Sequence, residues 1–254
     1  MSKSWTIALN TFREALRKKT LYILLVIAFI VIGASKFFSW LSPEEELKMI
    51  KDVSFSSIEF FGALIAIFGA LGAMATEIEK KTIYTLLSKP ITRTNFVVGK
   101  FIGLGLIMLL NYVLICAFFI GLLIVKKSPP DIEVAKALIL IFWELLLISS
   151  ITLSVATVAS EAFNLIFSFF LYIVGHLTSY GKQITEQLKN PLLKGLSDIL
   201  YTVVPNYENF AIRVKVVVGV EVSWQYVGQT MLYGLIYMVI AILVAVYFFQ
   251  KREI

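Results

Sequence analysis

The chain has 254 residues, of which 59% are hydrophobic and 16% charged, and its mean hydropathy is +0.85. Soluble domains run to roughly 45–50% apolar and about 25% charged residues, so this composition argues against a soluble fold and for bilayer solvation. The net charge of +6 fits the basic bias of cytoplasmic membrane loops rather than a nucleic-acid footprint. A single cysteine, Cys116, and a single histidine, His176, leave no intrachain disulfide, no Cys/His zinc pattern and little His-based catalysis.

Residues 4–19 place Trp5, Leu9, Phe12 and Leu16 on one helical face, with Arg13, Arg17 and Lys18 elsewhere. This pattern predicts an amphipathic helix lying along the cytoplasmic interface. About 20 apolar residues at 1.5 Å each cross a hydrocarbon core of about 30 Å. Runs near 21–40, 55–76, 101–125, 137–160, 162–180 and 226–249 meet that length. The first run is followed by Lys36 and aromatics rather than a small-residue cleavage site, so no cleaved signal sequence is expected. Lys3, Arg13, Arg17–Lys19, Lys80, Lys81, Lys89, Arg93, Lys100, Lys251 and Arg252 cluster at span ends on one side. The opposite side spreads its bases over longer loops among Glu44, Glu45, Glu46 and Asp52. The positive-inside rule then predicts both termini in the cytoplasm. The expectation is an all-α, polytopic protein of six transmembrane helices in a single domain, 1–254.

Between spans two and three, residues 77–92 interleave Ile83, Tyr84, Leu86 and Leu87 with dense charge and end at Pro90. A plain linker needs no such apolar anchors, so this cytoplasmic helix reads as a docking element for a soluble partner. Residues 182–225 form an outer segment. Within it Ile184, Leu188, Leu192, Leu196 and Leu200 keep helical spacing, and Asn190-Pro191 supplies an N-cap and first helical residue. Two short amphipathic or re-entrant helices are expected there.

Gly175 to Gly181-Lys182-Gln183 superficially resembles a phosphate-binding loop. It has one residue too many, no Ser or Thr after the lysine and no preceding strand, so the chain binds no ATP by that route. Buried polar residues within spans are candidates for function by default. Asn111, Glu144, Ser150 and Ser154 are therefore candidates for a pathway or for helix packing, and Glu59 lies near the outer end of span two. Glu59 with Glu144 is too little for a carboxylate protease, and His176 has no serine partner in a motif. Ser149, Thr152 and Thr157 in span four, and Gly62, Ala66, Gly69, Ala70 and Ala73 in span two, read as close-packing positions. Met108, Cys116 and His176 read as packing residues, and no metal site or catalytic residue is assigned.

The chain resembles the type-2 ABC transporter permeases. The resemblance rests on Arg17-Lys18-Lys19 running into the first span and on Glu77-Ile78-Glu79-Lys80-Lys81-Thr82 followed by Leu86-Leu87-Ser88-Lys89-Pro90-Ile91-Thr92-Arg93 and Gly99-Lys100. It extends through VVPNYENFAIRVKVVVG at 203–219 to a last span ending Phe248-Phe249-Gln250-Lys251-Arg252. Thr92 stands where Ser is often found, and Glu253 where Asp is. Pro205-Asn206 is similar to a subgroup that includes the permease used in nitrous-oxide reductase maturation. The resemblance implies a multi-pass subunit of a cell-membrane exporter, working as a homodimer with two separate ATPase subunits that hold ATP and Mg. It implies no cofactor and no enzymatic activity on this chain. Glu77, Glu79, Lys80, Lys81, Thr82, Tyr84, Leu87, Pro90 and Arg93 would form the coupling helix, and Trp5, Phe12, Arg13 and Arg17 the connecting helix. Pro205, Asn206 and Phe210 would mark the outer side. An alternative output is actuation of an extracytoplasmic partner protein rather than solute movement.

Overall fold

The computed structural model describes residues 3–38, 45–79, 92–187, 195 and 203–251. In chain order the helices are α1 (Lys3–Ala15), α2 (Lys19–Phe38), α3 (Glu46–Glu79), α4 (Arg93–Val125), α5 (Ile132–Ala156), α6 (Glu161–Gln187), α7 (Arg213–Val218) and α8 (Trp224–Lys251). A 3₁₀ turn, Tyr207–Asn209, precedes α7. Six of them, α2 to α6 and α8, are long and apolar enough to cross a membrane, as the apolar runs predict.

The helices outrun the apolar stretches because their polar ends are satisfied locally. The side chain of Thr92 accepts from Asn95 N at 3.2 Å, starting α4 eight residues before the expected span. Asp131 does the same for α5, accepting from Val134 N at 2.9 Å. The first turns of α3 place their charges on neighbours. Glu46 pairs with Lys126, and Lys51 lies 3.5 Å from Asp131. At the other end, Gly219 closes α7 at φ 82°, a conformation that costs a residue without Cβ nothing.

One expectation for the segment after span five changes. Residues 182–187 continue α6 to Gln187 instead of forming a separate short helix, because nothing between 180 and 187 interrupts the helical hydrogen bonding. The second expected helix, from Pro191, lies outside the described residues, as do residues 80–91.

Helix α3 is the axis of the bundle, packed against α2, α4, α5 and α6, while α8 lies on α5 and α4. Phe55, Ile58, Phe119, Leu140 and Leu147 are fully buried between them. Ile23 and Ile30 of α2, Val113 of α4, Phe170 of α6 and Leu243 of α8 face outward, the apolar exterior that lipid tails solvate.

Candidate functional site

Two regions of the bundle gather residues with more than a packing role. The first is the end carrying α1, which lies along the first third of α4. A Cβ at Gly99 would meet Ser4 O at 2.7 Å, and one at Gly103 would meet Ala8 O at 2.6 Å. Only glycine permits backbones this close. Ile7, Ala8, Thr11 and Ala15 form the buried face of α1. The stripe of Trp5, Leu9, Phe12 and Leu16 is therefore not the docking face; Trp5 is exposed and the other three are half-buried on the flank. Arg13 and Arg17 are exposed.

Polar contacts lock the same end. Lys100 is almost fully buried, 3.9 Å from Glu14 and over the Phe96 ring. Arg93 donates to Phe249 O at 2.8 Å and Gln250 O at 2.7 Å. Its guanidinium thus caps the last carbonyls of α8, where a cation also suits the helix dipole. Phe96 stacks on Phe249 with ring centroids 5.3 Å apart. Lys18 crosses over Gly72 of α3. Of the residues expected to couple to a partner, Arg93 belongs to this clamp, and Glu77 and Glu79 fall in the last turn of α3. Lys80, Lys81, Thr82, Tyr84, Leu87 and Pro90 lie outside the described residues.

The second region is a buried polar cluster towards the opposite end. Glu59 comes from α3, Glu144 from α5, His176 from α6 and Arg213 from α7. His176 Nε2 lies 2.6 Å from Glu59 Oε1 and 3.4 Å from Glu144 Oε1. Arg213 approaches Glu59 Oε2 at 3.7 Å and donates to Ser56 Oγ. His176 Nδ1 faces Tyr172 O at 3.0 Å, so Nδ1 carries a proton and Nε2 is the atom turned to the carboxyls. Glu144 is completely buried, and neither of its carboxyl oxygens has a hydrogen-bond partner.

The segment PNYENF at 205–210 covers this cluster. Asn206 Oδ1 accepts from Glu208 N at 3.0 Å and caps the 3₁₀ turn, and Asn206 N donates to Tyr233 Oη at 2.9 Å. Tyr207 packs its ring against His176, with centroids 5.5 Å apart. A Cβ at Gly175 would lie 2.3 Å from that ring. Phe210 is fully buried over Gly234 and beside Tyr233. Burial pushes the Tyr207 phenol well above its ordinary pKa, with Glu144 adding to the effect, so the ring stays neutral at every physiological pH.

Two of the remaining pathway candidates bond within their own helices. Asn111 donates to Ile107 O at 2.8 Å and Ser150 to Leu147 O at 2.7 Å, while Ser154 is buried and its carbonyl accepts from Thr157 Oγ1. In the sequence Glu59 pairs only with Glu144 and His176 stands apart from both, while Tyr207 and Arg213 appear only within the 203–219 motif. A depth count brings Glu59, Glu144 and His176 together. Glu59 is 13 residues from the start of α3, Glu144 is 12 from the start of α5, and His176 is 11 from the end of α6. At about 1.5 Å per residue these are the same level.

Residues 5–254 match the sequence profile of a family described as ABC-2 family transporter protein. No curated protein is similar enough to match the chain.

Proposed function

The chain belongs to the ABC-2 family of transporter proteins, a multi-pass membrane permease, and on that premise we propose that it is the transmembrane subunit of an ABC exporter. Both termini are cytoplasmic, and two copies of the chain work with two ATPase subunits. ATP and Mg belong to those subunits. Residues 77–92 form the coupling element, entering the ATPase through Tyr84 and Leu87 with Glu77, Glu79, Lys80, Lys81 and Thr82 around them. Pro205-Asn206 suggests the subgroup that serves nitrous-oxide reductase maturation.

The observation that supports this reading is the close keying of α1 to α4 through Gly99 and Gly103. Helix α4 begins directly after the coupling segment, and Arg93 in its first turn grips the end of α8. A displacement delivered to residues 77–92 therefore moves α4, α1 and the end of α8 as one body. Tight backbone contacts transmit such a shift because packed elements move as rigid pieces.

The test is assembly and flux. The chain purified alone hydrolyses no ATP, and a tagged chain co-purifies with a soluble ATPase. Reversing charge at Glu79 and Lys81 together abolishes that co-purification; unchanged assembly would refute the coupling role of 77–92. Solute flux in reconstituted vesicles supports export, whereas capture of an extracytoplasmic protein without flux supports actuation of a partner.

A further inference from the structure

We propose that Glu59, Glu144 and His176 form a binding site for one divalent transition-metal ion of the zinc class, tying together α3, α5 and α6. One ligand atom from each of the three lies within 4.8 Å of the other two. The argument begins with Glu144. A buried carboxylate is normally met by donors, and the same helix supplies the comparison. Glu133 sits 11 residues earlier on the same helical face, with one oxygen 2.5 Å from Lys136 Nζ and the other accepting from Val222 N at 3.0 Å. Glu144 has no such partner for either oxygen, yet it is aimed at His176.

A single shared proton meets only one pair of these groups. Placed between His176 and Glu59, which are already 2.6 Å apart, it leaves Glu144 unmet. A metal ion engages all three at once. With bonds of about 2.0–2.1 Å, two ligands of a tetrahedral ion stand about 3.3 Å apart. His176 Nε2 and Glu144 Oε1 are 3.4 Å apart, and the Glu59 contact needs only to open from 2.6 Å.

The surroundings are those of a metal-binding histidine. Such an imidazole donates its other nitrogen to a carbonyl or carboxylate, which fixes the tautomer and aims the lone pair. Here Nδ1 faces Tyr172 O at 3.0 Å, and the rings of Tyr172 and Tyr207 pack against the imidazole at tilted angles. Arg213 lies on the far oxygen of Glu59 and orients that carboxylate. The His176 side chain is 22% exposed, which provides a way in. One imidazole and two carboxylates favour zinc, cobalt or manganese over magnesium and calcium, which prefer all-oxygen shells. A fourth position is left for water or a cargo group.

The site is independent of the ATPase-coupling reading, and its test needs neither partner nor transport. The full chain is purified in detergent, stripped with chelator and titrated with Co²⁺, followed by Zn²⁺. One Co²⁺ per chain binds with the visible absorption of a tetrahedral ion, and Zn²⁺ displaces it. Glu144→Gln and His176→Gln each weaken binding by at least about 100-fold, whereas Glu221→Gln, an exposed carboxyl away from the cluster, leaves it unchanged. Substoichiometric binding, a non-tetrahedral spectrum, or equal binding by both ligand variants overturns the proposal. Where a variant does not fold, the wild-type spectrum and stoichiometry decide alone.

Discussion

The two ends of the bundle are held by different kinds of contact. At the α1 end, backbones touch: Gly99 and Gly103 admit the α1 main chain to within a Cβ radius, and Arg93 binds carbonyls of α8. At the cluster end, side chains from four helices converge, meeting through Glu59, Glu144, His176 and Arg213, beside one close backbone approach of Pro205 O to Gly175. Backbone contact cannot be adjusted without moving a helix, so the first end is suited to passing on a displacement. A side-chain cluster can gain or lose a cation with the helices in place, so the second end is suited to responding to a ligand. This contrast generates measurable differences.

The largest effect falls at the cluster end. Phe210 is fully buried and seats the segment that brings Tyr207 and Arg213 over the cluster. Phe210→Ala should cost about 3–5 kcal/mol. Cys116, the one cysteine, is buried, so a thiol-reactive dye reads the unfolding directly in a thermal ramp. An unshifted melt would mean that 205–210 is a loosely held loop. Next comes a pair of identical changes on α4. Gly103→Ala pushes a Cβ onto Ala8 O and should cost about 1–3 kcal/mol, releasing α1 to protease. A Cβ at Gly121 meets nothing within 4 Å, so Gly121→Ala should stabilise by about 0.8–1 kcal/mol. Equal shifts from the two would remove the close-docking argument.

How far the sequence was legible differs between the ends in the same way. Six spans follow from apolar run lengths, because a bilayer imposes a length on every helix, and they appear as expected. The helical nature of α1 was equally plain, but its docking face was not. Hydrophobic periodicity ranks Trp5, Leu9, Phe12 and Leu16 first, whereas a glycine-lined partner selects the face of Ile7, Ala8, Thr11 and Ala15, mostly small. In a membrane the large apolar face has lipid to satisfy it, so size rather than hydropathy decides what packs. The cluster is harder still, since Glu59, Glu144, His176 and Arg213 are scattered along the chain and meet only through the helix arrangement. The equal depth of Glu59, Glu144 and His176 emerges only from the helix ends, which outrun the apolar stretches. Which helices are neighbours was not legible, and Arg213 comes from a short helix that no periodicity announced.

A smaller effect sits at the start of α4. Thr92 caps it through Asn95 N at 3.2 Å, and Thr92→Ala should cost about 1 kcal/mol. Thr92→Ser should restore most of that, because the hydroxyl is what accepts. On the proposed coupling role of residues 77–92, coupled ATPase activity should fall further in Thr92→Ala than the stability loss alone predicts. A proportionate fall would place the coupling step elsewhere.

The smallest effect is a pH dependence confined to the α1 end. Burial holds the Lys18 ammonium below its ordinary value of 10.5; Glu14 and Glu161 oppose this, and Lys100 adds to it. The folded state therefore releases the Lys18 proton at a lower pH than the unfolded chain does. Between the two values the unfolded chain binds more protons, so stability rises with pH across that window. Below the window the charged ammonium is a standing cost to the fold. Lys18→Gln removes both the cost and the rise, so the difference between the wild-type and variant melting profiles should slope upward only on the alkaline side. A difference flat through pH 10.5 would mean that the ammonium reaches solvent instead of lying over Gly72. The α1 end would then be less closely packed around α3 than it is around α4.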